Sequence, residues 1–86
     1  MNENTILLIG YLAAILTTIS FIPQALKTIR DKDTKAISLP MYTLFSLGIF
    51  LWFIYGIFIK STPIIFANFI TLILTLTICS LKMKHG

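Results

Sequence analysis

Residues 39–59 read LPMYTLFSLGIFLWFIYGIFI, and no charged residue stands between Leu39 and Ile59. The stretch is about 21 residues long, roughly 31 Å of helix at about 1.5 Å per residue, and a bilayer core is about 30 Å thick. Two further stretches of similar length, Ile6 to Leu26 and Ser61 to Leu81, are equally free of charge. The only acids, Glu3, Asp31 and Asp33, lie outside all three. Of the 86 residues 57% are hydrophobic and 12% charged, about half the charge that a water-facing domain carries. The excess is explained if lipid is the solvent for most of the surface. The sequence predicts an all-α membrane protein: a single domain over residues 1–86, a bundle of three transmembrane helices at about 5–26, 41–59 and 63–81.

Punctuation agrees with these spans. Pro40 follows Ser38 and Leu39, and Pro63 follows Ser61 and Thr62; proline suits a first helical turn, and the preceding hydroxyls can cap it. Pro23 lies inside the first span, where it removes a hydrogen bond and is expected to kink the helix. The start Met1-Asn2-Glu3-Asn4 lacks the positive region of a signal peptide, so cleavage is not expected. The first loop holds Lys27, Arg30, Lys32 and Lys35, and the C-terminal end holds Lys82, Lys84 and His85, whereas the second loop holds Lys60 alone. By the positive-inside rule the N-terminus is outside, and the first loop and C-terminus are cytoplasmic. The expected location is the cell's inner or plasma membrane. Cys79 is the only cysteine, which excludes an intrachain disulfide. The net charge of +4 gathers at the span boundaries, where it anchors the helices, and implies no nucleic acid partner.

Inside the spans the polar and aromatic residues are few and spaced. Met41, Phe45, Gly48, Trp52 and Tyr55 follow steps of four and three and share one helical stripe. A packed interface with belt aromatics accounts for Tyr55, near the outer end. It accounts poorly for Trp52, about 10 Å of helix inside Ile59, where the indole N–H wants an acceptor. Asn68, Thr71 and Thr75 share a face of the third span. Threonine can bond back to its own helix. Asn68 cannot be satisfied by lipid, and its amide is either interhelical glue or a binding group. It lies about 7–8 Å of helix below Pro63, close to the depth of Trp52. An aromatic plate and an amide at one level suit a sugar, whose C–H faces stack and whose hydroxyls bond. Gly10 and Ala14 form a small-xxx-small pair that allows close helix contact. At Pro23-Gln24 a static kink and a swinging hinge are both open. Three helices are too few to enclose a sugar-sized cavity, so pairing with a second copy is expected.

The segment Ala13-Ala14, Thr17-Thr18, Ser20-Phe21-Ile22-Pro23-Gln24 resembles the PQ motif of the SemiSWEET sugar transporters, within the SWEET and PQ-loop superfamily. Lys32 to Ser38, Met41-Tyr42, Leu51 to Gly56 and Ala67 to Leu72 continue the resemblance in order over nearly the whole chain. The resemblance implies a parallel homodimer of three-helix protomers, six helices around one central path. It implies a uniporter that passes mono- or disaccharides down their gradient by alternating access. By motif, Trp52 and Asn68 match substrate-binding residues, and Pro23 with Gln24 the hinge. Met41 and Phe45 match a cytoplasmic gate, and Tyr55 an outer gate. Some relatives follow the gate tyrosine with an Arg and an Asp; here Ile59, Lys60 and Ser61 stand there without an acid. Outer closure is therefore expected to rest on Tyr55 and apolar contact.

No Asp, Glu, His, Lys or Arg lies within the spans. Proton-coupled carriers and small multidrug exporters need such a group, so facilitated diffusion is expected. No nucleophile–base pair or metal-ligand cluster is present, which predicts no enzyme activity, no metal and no cofactor. The rival class is a non-transporting membrane protein such as a holin or assembly subunit, in which Trp52 and Asn68 would be packing residues.

Overall fold

The structure, a computed structural model, describes residues 2–86. It consists of α1 (Glu3–Asp31), α2 (Leu39–Phe58) and α3 (Thr62–His85), and all three are long and apolar enough to cross a membrane. Each helix starts where its local chemistry permits. Asn2 caps α1, its side chain accepting the Thr5 N–H at 2.8 Å. Ser38 caps α2 by accepting the Met41 N–H at 3.4 Å, with Pro40 in the first turn. Ser61 precedes α3 without a side-chain cap bond, and Pro63 in the first turn reduces the number of donors to be satisfied.

The ends are equally local. Lys32 closes α1 in the left-handed conformation, at φ 52°. After α2 the Ser61 N–H donates to Gly56 O at 2.9 Å and the Lys60 N–H to Ile57 O at 3.1 Å, with Lys60 at φ 59°. These are the paired bonds of a Schellman turn. α1 runs on through Pro23 to Asp31, past the apolar stretch that ends at Leu26, and α3 runs past Leu81 to His85. Both extensions carry the basic residues Lys27, Arg30, Lys82 and Lys84, which favour helix C-terminal ends.

α3 packs against both α1 and α2, which make no backbone-level contact with each other. The molecule measures 48 × 23 × 14 Å, so it is a slab little more than one helix thick. At the outer end Gly56 lets α2 approach α3: a Cβ there would lie 2.6 Å from Ile64 Cγ2 and 3.3 Å from the Ile65 nitrogen. Gly10 faces Pro63 more loosely, a Cβ meeting its ring at an ordinary 3.6 Å. At the inner end Ala25, Ser46, Thr75, Ile78 and Cys79 are buried together with loop residue Thr34. The Lys82 ammonium donates to Thr34 O at 2.9 Å and ties α3 to the α1–α2 loop.

Candidate functional site

The slab has two unlike faces. On one, α3 presents Phe66, Ile70 and Ile73 to the surroundings. Grooves run on either side of it, one lined by Tyr11, Ile15, Ile19 and Ile22 of α1, the other by Leu47 and Phe50 of α2 with Leu76 and Met83 of α3. That face is almost wholly apolar and suits lipid.

On the other face α3 presents a different stripe. Asn68 and Thr71 are half-buried, and Thr75 and Ile78 below them are fully buried. The α1 residues away from the apolar groove include Thr17, Ser20 and Gln24, all exposed. From α2 come Met41, Phe45, Trp52 and Tyr55, exposed by roughly half, with Gly48 between them. An open groove of about 360 Å³ runs along Gly48, Leu51, Trp52 and Tyr55. A Cβ at Gly48 would meet nothing within 4 Å. That groove is lined by α2 alone, and helical spacing puts Asn68 and Thr71 on the side of α3 away from Phe66 and Ile70.

Their depths follow from packing. The rings of Phe53 and Phe69 lie 5.9 Å apart, which sets α2 against α3 and brings Trp52 level with Asn68 and Thr71. No hydrogen bond joins Trp52 to Asn68. The indole makes an edge-to-face contact with Tyr55, centroids 5.5 Å apart at 82°. The Asn68 amide donates to Ile64 O at 2.8 Å, one turn back. Among the described residues the Asn68 carbonyl oxygen, its second N–H, the Trp52 N–H and the Thr71 hydroxyl have no protein partner. Leaving such groups in hydrocarbon costs several kcal/mol each, so this face belongs against water, ligand or another protein surface.

Towards the cytoplasmic end Phe45 contacts Phe21 of α1 edge-to-face at 6.5 Å and Tyr42 at 6.2 Å. This aromatic contact bridges α1 and α2 where their backbones do not meet. Met41 lies one turn further, open. Pro23 and Gln24 are both exposed within continuous helix. The Thr75, Thr77 and Ser80 hydroxyls donate to carbonyls of their own helix, as sequence reasoning allowed for threonine. Thr71 does not, and that difference was invisible in the spacing. No cluster of metal-ligating side chains occurs among the described residues.

The fold defines a small helical membrane protein with polar and aromatic side chains left open along its spans. The sequence profile of the PQ loop repeat matches residues 5–65. A sugar transporter SemiSWEET of Leptospira biflexa is 49% identical over 79 residues, covering 92% of this chain and 93% of that protein. A SemiSWEET crystal structure in the inward-open conformation matches with a TM-score of 0.90 at 39% identity, over 95% of this chain and 88% of the other. The crystal structure of a bacterial homologue of SWEET transporters matches with a TM-score of 0.79 at 45% identity, over 93% and 96%. The chain belongs to the PQ-loop family, in its SemiSWEET branch.

Proposed function

We propose that two copies of this chain associate in parallel and form a sugar transporter, with the recessed faces opposed around one central path. The observation that carries the reading is the set of polar groups left without a partner at one depth, the Trp52 N–H and the Asn68 side-chain oxygen and second N–H, on a slab too thin to enclose anything alone. A two-fold axis along the membrane normal doubles the set and removes it from lipid. The relatives' names support a sugar as substrate, and the substrates are mono- or disaccharides.

Each residue has a defined task. The two Trp52 rings stack on the sugar's C–H faces. The two Asn68 amides exchange hydrogen bonds with its hydroxyls, replacing water at little net change in bonding. Met41 and Phe45 narrow the cytoplasmic mouth, and Tyr55 the outer one. α1 pivots at Pro23, beside Gln24, where the ladder lacks one bond, and access alternates between the two sides. Uniport requires only that the two states differ by a few kcal/mol. With no Asp, Glu, His, Lys or Arg in the spans, flux follows the sugar gradient alone. The N-terminus is outside and the C-terminus cytoplasmic, in the cell's inner or plasma membrane.

The test is counterflow of labelled glucose and sucrose in liposomes holding the purified protein. Wild type exchanges one or both, and Trp52→Ala abolishes exchange while the dimer persists in detergent. Retained exchange in Trp52→Ala would overturn the pocket assignment.

A further inference from the structure

We propose that Thr71 is a third substrate-binding residue, whose hydroxyl forms the floor of the recess and reads one sugar hydroxyl. The inference rests on the transport reading above. It starts from a half-buried hydroxyl without a partner. Within the spans Thr17, Ser20, Thr75, Thr77 and Ser80 all donate to a carbonyl three or four residues back in their own helix. That is the ordinary way for a hydroxyl to survive in a bilayer. Thr71 forms no such bond, although Ala67 and Asn68 carbonyls lie within reach by sequence; Thr18 and Thr43 also form none, but Thr18 is buried and both line the grooves of the apolar face.

Position gives this hydroxyl a meaning. Asn68, Thr71, Thr75 and Ile78 descend one stripe of α3. The first two are half-buried, and the last two are 0% and 1% exposed. Thr71 is therefore the lowest polar residue on the stripe still open. Parallel packing of α1 on α3, with Gly10 against Pro63, puts Thr71 level with Thr18. No hydrogen bond joins those two residues. The pairing of Phe53 with Phe69 puts Trp52 between the levels of Asn68 and Thr71, about 5 Å apart along the axis. A pyranose ring spans that interval, so an indole plate, an amide and a hydroxyl can engage one ring. The hydroxyl both donates and accepts, which complements a sugar hydroxyl in either orientation.

The experiment compares Thr71→Val, which keeps the shape and removes the hydroxyl, with Thr71→Ser, which keeps the hydroxyl. Counterflow is measured with whichever of glucose or sucrose wild type carries, and deoxy analogues of glucose serve as competitors. Thr71→Val should raise the half-saturating concentration about three- to tenfold, the size of one neutral hydrogen bond, with maximal flux little changed. It should also erase wild type's discrimination against one deoxy analogue, whereas Thr71→Ser keeps both. Thr71→Cys, smaller and a poor donor, should repeat the loss should the valine variant not assemble. Wild-type affinity and discrimination in Thr71→Val or Thr71→Cys would overturn the inference, as would a loss of dimer or of maximal flux with discrimination intact, the signature of packing against Thr18. If Trp52→Ala is inactive while Thr71→Val is normal, only this inference falls. If wild type carries neither sugar, both fall together.

Discussion

Trp52 shows how much one side chain can decide. Its ring lies open beside Gly48 and edge-on to Tyr55, so it supplies both an apolar plate and an N–H. Trp52→Phe separates the two: stacking survives and the N–H is lost. Counterflow should persist with a half-saturating concentration raised by about tenfold or less, against complete loss in Trp52→Ala. Gly56 is decided by space instead. A methyl there would press on Ile64 and on the Ile65 backbone, and overpacking of this kind costs about 1–3 kcal/mol. Gly56→Ala should lower the melting temperature in detergent, whereas Gly10→Ala, with ordinary room at Pro63, should leave it nearly unchanged. Gly10 is legible as a small residue from sequence, but only the packing shows that Gly56 is the indispensable one.

Among the elements, the two connections differ in character. The α2–α3 turn is a Schellman motif with Lys60 at positive φ. A side chain in that conformation costs about 1 kcal/mol. Lys60→Gly should therefore stabilise the protein by up to about that amount in a thermal melt, provided the helix ends stay in register. The α1–α2 loop is held from outside itself, by the Lys82 ammonium on Thr34 O. Lys82→Met keeps the aliphatic stem and removes the bond. Amides of residues 33–38 should then exchange hydrogen faster while the helix interiors are unaffected. Pro23 sits inside a helix that continues to Asp31. Tertiary contact of the inner α1 segment, with Ala25 buried, keeps that segment helical despite the missing bond.

For the whole molecule the shape is the argument. A 14 Å layer has no interior for a sugar, and its polar side faces outward until a second layer covers it. Co-reconstitution of equal amounts of wild type and Trp52→Ala separates the possibilities. If every working unit needs two intact protomers and subunits mix freely, flux falls to about one quarter of that of the same total amount of wild type. Protomers acting alone would give one half. The lack of any Asp, Glu, His, Lys or Arg within the spans makes a second whole-molecule prediction. An imposed pH gradient should not drive sugar accumulation above the external level, and uphill uptake would refute uniport.

Read alone, the chain determined its membrane class, its helix count and the identity of its unusual residues, because each depends on local composition and on steps of three and four. A charge-free run of about 21 residues has few alternatives in any context, and Trp52 and Asn68 are conspicuous wherever their helices go. Spacing could not reveal that α3 lies between α1 and α2, that Thr71 remains unpaired while Thr75 does not, or that Lys82 reaches Thr34 across the chain. Those depend on which faces of different helices meet, and helix pairing is set by interlocking surfaces and close approach, as at Gly56, rather than by any period within one segment.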